Sequence, residues 1–135
     1  MSSGLPVFDP HPTLETEPFW TAASEGRLVL PKCDNCGNVI WYPRRFCPVC
    51  HHASVTWIDA SGRGTVYSFT VVRKGRGPWK ESAPYVAAYV ELEEGPRVMT
   101  NVVEVDPDAV RIGMAVEVVF DRSETAAIPR FRPAG

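Results

Sequence analysis

Apolar positions recur at two different intervals along the chain, and the interval changes at Arg27. Before that point Phe19, Trp20 and Ala23 fall close to three or four apart, which places side chains on one face of a helix. Thr13 or Thr16 can cap such a helix, Pro18 suits its first turn, and Gly26 suits its end. The pattern predicts a short helix over 17–25. A helix of this length is marginal by itself and has to dock on something. Residues 1–13, rich in Pro and polar side chains, read as an extended arm that is mobile unless a partner holds it.

From Arg27 the period is two. Leu28 and Leu30 alternate with Arg27, Val29 and Pro31, and short strands are expected over 39–42 and 54–58. Over 64–72, Val66, Phe69 and Val71 stand against Thr65, Ser68 and Thr70. A long loop, 73–83, carries Gly75, Gly77 and Pro78. Strands over 84–92 and 97–103 flank a turn at 93–96. Asp106-Pro107 reads as a cap followed by proline at the first helical position, opening one helical turn that Gly113 stops. Strands over 115–120 and 128–132 complete the chain. Five strands with a helical turn between the third and fourth match the order of an OB-fold barrel.

Two CxxC pairs interrupt the first of these regions. They are Cys33-Asp34-Asn35-Cys36 and Cys47-Pro48-Val49-Cys50, with ten residues between them. Each tight turn aims two sulfurs at one point, and two such turns complete the closed thiolate tetrahedron of structural zinc. Gly37 suits a turn that needs positive φ. The intervening residues are expected to form a small hairpin through 39–42, Pro43 and 44–46. A rubredoxin-type iron site uses the same four thiolates. A thioredoxin-like redox pair would need only one CxxC. With all four positions filled by sulfur, no position is left open for a catalytic water, and His51 and His52 read as polar flanks.

Composition narrows the setting. A chain of 135 residues, 44% hydrophobic, suits one compact domain or two small ones sharing an interface. The net charge of −2 is not the basic footprint of a nucleic-acid binder. No apolar run is long enough to span a bilayer. The first residues lack the charged start and apolar stretch of a secretory signal, so a cytoplasmic location is expected, where paired cysteines favour metal or redox work over disulfides. Thirteen prolines argue against long helices.

With these features assembled, the chain resembles the acyl-CoA-associated family catalogued as domain of unknown function thirty-five, a rubredoxin-like zinc ribbon followed by an OB-fold. The resemblance runs from Phe19-Trp20 and Gly26-Arg27-Leu28 through Cys33-Asp34-Asn35-Cys36-Gly37, Trp41-Tyr42-Pro43-Arg44 and Cys47-Pro48-Val49-Cys50. It continues through Gly62-Arg63-Gly64-Thr65-Val66-Tyr67-Ser68-Phe69-Thr70, Pro84-Tyr85-Val86 and Gly113-Met114-Ala115-Val116. It implies a mainly β chain divided into an arm and helix (1–26), a zinc ribbon (27–60) and a five-stranded OB-fold (61–135). It also implies a thiolase-like or lipid-transfer-type aldolase partner in a hetero-oligomer, with chemistry on an acyl-CoA, including retro-aldol cleavage in steroid side-chain degradation. The chain ends near the barrel without a fused hydratase domain, so a separate accessory subunit is expected.

No nucleophile paired with a base is recognisable, and GxSxG, P-loop and GxGxxG motifs are absent. Gly62-Arg63-Gly64 and Gly75-Arg76-Gly77 read as loop glycines. The segment Arg73-Lys74-Gly75-Arg76-Gly77-Pro78-Trp79-Lys80 carries four positive charges and one Trp in eight residues. Arg73, Lys74, Arg76 and Trp79 are candidates for contacting acyl-CoA phosphates and adenine. Arg44 and Arg45 can join them, or simply offset the negative zinc centre with Lys32. Phe19 and Trp20 are candidate interface anchors. Two other functions fit the same residues: a single-stranded nucleic-acid-binding OB module and an independent acyl-CoA-binding protein.

Overall fold

A computed structural model describes residues 3–135. Its elements are α1 (Glu17–Ser24), β1 (Val29–Cys33), β2 (Val55–Asp59), β3 (Arg63–Val72), β4 (Tyr85–Leu92), β5 (Arg97–Val102), β6 (Ala115–Arg122) and β7 (Ala127–Pro133). β1 and β2 pair antiparallel as a separate ribbon. The other five strands close a barrel in the order β3-β4-β5-β7-β6. Closure rests on a short β3–β6 pairing over Arg63–Thr65 and a single parallel pair, Val102 with Phe131. This is the OB arrangement that the strand order predicts.

Strand β3 shows why its pattern reads as it does. An unbroken period of two would send Val66 and Phe69 to opposite faces. A bulge between Val66 and Ser68 inserts one extra residue and resets the phase. Val66 is buried, and Phe69 and Val71 pack against the same core. Gly64 lets β3 approach β4 closely: a Cβ there would lie 2.5 Å from the Glu91 carbonyl oxygen. This glycine serves sheet packing.

Helix α1 forms where the apolar spacing predicts it and buries Phe19, Ala22 and Ala23. Thr16 occupies the cap position without a side-chain bond to the helix; its Oγ1 instead accepts from the Thr13 N–H at 2.9 Å. Phe19, Leu28 and Leu30 belong to one buried cluster with Val66, Val98, Val102 and Phe131. Helix, ribbon and barrel therefore share a core. That answers the docking requirement of a short helix.

Four expectations are corrected. Residues 39–42 form no strand. Val39 makes one bridge to Lys32, and the Ile40 N–H bonds the Pro31 carbonyl at 2.8 Å. The chain then bends, because Pro43 has no N–H to donate and Trp41 is drawn onto Phe19 of α1. No hairpin spans 39–46. Strand β1 does not alternate: Val29, Leu30, Pro31 and Cys33 are all buried, the signature of a strand covered on both faces. The 73–83 loop contains a 3-10 turn, Gly77–Ser82. Residues 3–9 of the arm are bound to the barrel: Ser3 Oγ donates to Asp121, the Pro6 carbonyl accepts from Arg130, and Asp9 accepts from Thr125. The turn after β5 is also 3-10, Pro107–Ala109, capped as expected by Asp106, which accepts from the Asp108 N–H at 2.9 Å. Among the described residues no helix is long and apolar enough to cross a membrane.

Candidate metal centre and partner surface

The four cysteines converge. Their sulfurs all lie within 4.8 Å of one another. Across the two turns, Cys33 Sγ is 3.5 Å from Cys50 Sγ, and Cys36 Sγ is 3.6 Å from Cys47 Sγ. None of the four is joined in a disulfide. A zinc tetrahedron with Zn–S of about 2.3 Å places its sulfurs about 3.8 Å apart, so the set fits the ion. Cys33 and Cys47 are buried beside Ile40, and Cys36 faces solvent.

The two turns are built alike. The Gly37 N–H bonds the Cys33 carbonyl at 3.1 Å with φ of +78°, and the His51 N–H bonds the Cys47 carbonyl at 2.8 Å with φ of +65°. Backbone N–H groups of Asn35 and Cys36 point at Cys33 Sγ, and that of Val49 at Cys47 Sγ. Two side-chain amides add to them: Asn35 Nδ2 donates to Cys50 Sγ at 3.6 Å and Asn38 Nδ2 to Cys47 Sγ at 3.8 Å. Their role was not apparent from the sequence, although an Asn inside or just after a CxxC is a signal for it. Donors of this kind stabilise thiolates. The His52 backbone N–H, then Asn35, draw the Cys50 thiol down to about 6. At Cys36 the backbone N–H of Asn38 acts downward, but desolvation and the three neighbouring sulfurs outweigh it and push the thiol up to about 12. Outside this shell, Asp34 accepts from Ser54 and Thr56 Oγ1, tying the first turn to β2.

The other candidates are dispersed. Arg73 is ion-paired with Asp108 at 2.7 Å. Trp79 lies against Tyr85, ring centroids 4.9 Å apart. Lys74, Arg76 and Lys80 are exposed. Gly75 sits under this turn, where a Cβ would be 2.2 Å from the Trp79 carbonyl oxygen. Arg44 and Arg45 are exposed in the ribbon, and no hydrogen bond or ion pair among the described residues joins them to 73–80. Phe19 is 2% exposed and belongs to the core, and Trp20 beside it is half-buried. Trp20, Trp41, Tyr42, Met99 and Pro129 line an apolar groove of about 120 Å³ with Phe19 among its walls. Met99 continues this surface onto the outer face of the barrel, where Ser68, Tyr89 and Met99 stand in register across three strands. The sequence does not single out Tyr89 or Met99, because exposed apolar residues on a strand look like ordinary alternation. A larger hollow, about 530 Å³, lies where β3 meets β6 and is lined by Glu91, Glu93 and Glu117 with Arg63.

Family models match this architecture in two consecutive parts. Residues 20–56 match the ChsH2 rubredoxin-like zinc ribbon domain, and residues 57–121 match the ChsH2 C-terminal OB-fold domain. The chain belongs to the DUF35 family. A DUF35 domain-containing scaffold protein of Methanothermobacter thermautotrophicus is 43% identical over 94 residues, covering 69% of this chain and 71% of the relative. A probable enoyl-CoA hydratase alpha subunit of Thermomonospora curvata is 38% identical over 128 residues, 93% of this chain but 40% of that subunit. A solved structure described as an Ltp2-ChsH2(DUF35) aldolase matches with a TM-score of 0.85 and 35% identity, over 94% of this chain and 100% of the matched one. The DUF35 ribbon is a zinc-binding unit, in keeping with the four convergent sulfurs here.

Proposed function

We propose that this DUF35 chain is a non-catalytic accessory subunit that binds and stabilises a thiolase-like aldolase acting on an acyl-CoA. The observation that carries this reading is the likeness, over the whole matched chain, to the DUF35 component of an Ltp2-ChsH2 aldolase. The closed thiolate shell supports it, since it leaves zinc no position for substrate. The exposed apolar surface through Trp20, Tyr42, Tyr89 and Met99 supports it too: Met99 is 68% exposed, and contiguous apolar patches of this kind mark interaction sites. We assign the reaction of the complex as retro-aldol cleavage of a β-hydroxyacyl-CoA from a steroid side chain, giving a carbonyl product and a shortened acyl-CoA. Lys74, Arg76 and Trp79 would meet the CoA phosphates and adenine held by the partner. An independent CoA carrier is disfavoured by the large hollow, whose carboxylates would repel phosphate.

Co-expression with a thiolase-like aldolase subunit tests the reading. Co-purification at fixed stoichiometry, and cleavage of β-hydroxyacyl-CoA only by the complex, are the expected results. Met99→Asp should separate the two chains while zinc stays bound. A monodisperse monomer that leaves the partner's solubility and activity unchanged would sink the proposal.

A further inference from the structure

The arm that precedes α1 ends in a buried polar socket. Asp121 on β6 and Arg130 on β7 form an ion pair at 3.1 Å, with side chains 1% and 3% exposed. The pair does not stand alone. Ser3 Oγ donates to the Asp121 carboxylate, and the Ser3 N–H points at Asp121 Oδ1. Arg130 Nη1 donates to Ser3 Oγ at 2.9 Å, and Nη2 to the Pro6 carbonyl at 2.5 Å. A buried ion pair holds only when further hydrogen bonds satisfy its remaining donors and acceptors, and the arm supplies them. Among the described residues Arg130 Nε is the one nitrogen of this guanidinium without a partner.

The same arm reaches two other places. Asp9 accepts from Thr125 Oγ1 in the turn between β6 and β7. The Gly4 carbonyl accepts from Ser82 Oγ at 3.3 Å, at the end of the 3-10 turn that carries Trp79 and Lys80. The guanidinium of Arg130 in turn lies 5.9 Å from the Trp79 ring centre, and Trp79 lies against Tyr85. One buried guanidinium thus faces the arm and the indole of the basic loop.

We propose that residues 3–9 are a strap that holds the basic loop in place: by completing the Arg130–Asp121 pair and gripping Ser82, the arm keeps Trp79 on Tyr85 and so positions Lys74, Arg76 and Lys80. The positioning stands on the contacts just described. Only its use, the presentation of charge to an acyl-CoA, rests on the function proposed above.

Tryptic cleavage of the native full chain reads this directly, because the arm contains no Lys or Arg and the loop contains four. Two variants release the strap. One lacks residues 1–9; the other, Arg130→Met with Asp121→Leu, replaces the socket by apolar side chains of similar size, a change that buried pairs tolerate. In both, cleavage after Lys74, Arg76 and Lys80 should accelerate by about tenfold or more, as expected of a segment shifted to local opening, while zinc content and hydrogen-exchange protection of β4 stay at wild-type levels. Wild-type loop cleavage in either variant with a protected barrel would overturn the proposal. If the truncated chain loses barrel protection, the double variant alone decides. The readout involves neither partner nor CoA, so failure of the proposed function leaves it intact, and its own failure leaves that function standing.

Discussion

Phe19 meets Trp41 edge to face, with ring centroids 5.2 Å apart and planes inclined at 64°. The first comes from α1 and the second from the ribbon, and Phe19 also belongs to the cluster that fills the barrel. Truncating Phe19 to Ala should cost about 3–5 kcal/mol, the usual loss for a fully buried Phe. Because the core is shared, ribbon and barrel should be weakened together. A urea titration followed by both tryptophan fluorescence and far-ultraviolet circular dichroism should show one transition at lower urea. Two separated transitions would mean that the units do not cooperate.

Zinc should behave as a folding ligand of the ribbon. Binding energies of structural zinc are on the order of 10 kcal/mol or more, so Cys47→Ser, at a sulfur with no exposure, should unfold residues around the two turns. Chelation should do the same reversibly. Affinity should fall on acidification, because protons compete for thiolates; the thiol of Cys36, held up at about 12 without metal, has to be deprotonated by the ion. Dye-detected zinc release across a pH series measures this, and release independent of pH would contradict it.

His51 holds the left-handed backbone that Gly37 holds in the matching turn. An L-residue there costs about 1–2 kcal/mol, partly offset by the extra chain entropy that glycine loses on folding, about 0.5–1 kcal/mol. His51→Gly should therefore raise stability by about 0.5 kcal/mol with zinc stoichiometry unchanged. A lowered melting temperature would show that the imidazole itself contributes contacts.

Asp34 carries a pH signature. Hydrogen bonds from Ser54, then Thr56, hold its carboxyl below the ordinary value of 3.8, with a smaller contribution from the charge of His52. A depressed folded value means that the stabilisation is present above pH 3.8 and lost as pH falls through the lower folded value. The carboxyl carbon, titrated by nuclear magnetic resonance, should have its midpoint under 3.8. Ser54→Ala should move it upward; no movement would remove the hydroxyl as the cause.

Much of the fold was legible because its determinants are local. Cys33, Cys36, Cys47 and Cys50 announce a metal site by spacing alone, since a CxxC turn needs nothing distant to aim its sulfurs. The barrel strands follow from period-two alternation, and Asp106-Pro107 marks its turn by capping chemistry. Elements that answer to distant neighbours were misread. Residues 39–42 carry strand-like side chains, yet Trp41 packs on α1 and the backbone turns away. Phe19 looks like an interface anchor on a short helix, but Leu28, Leu30 and the barrel cover it.

The sequence by itself determined the metal set and the order of the barrel strands, because each is carried by residues close along the chain. Tertiary structure alone decided where the arm ends, since Ser3 and Pro6 meet Asp121 and Arg130 across more than a hundred residues. It also decided which apolar side chains remain outside: Tyr89 and Met99 alternate like any strand residues, and only the closed barrel leaves them in solvent. Burial is a property of the whole packing, and no local pattern encodes which face a partner will cover.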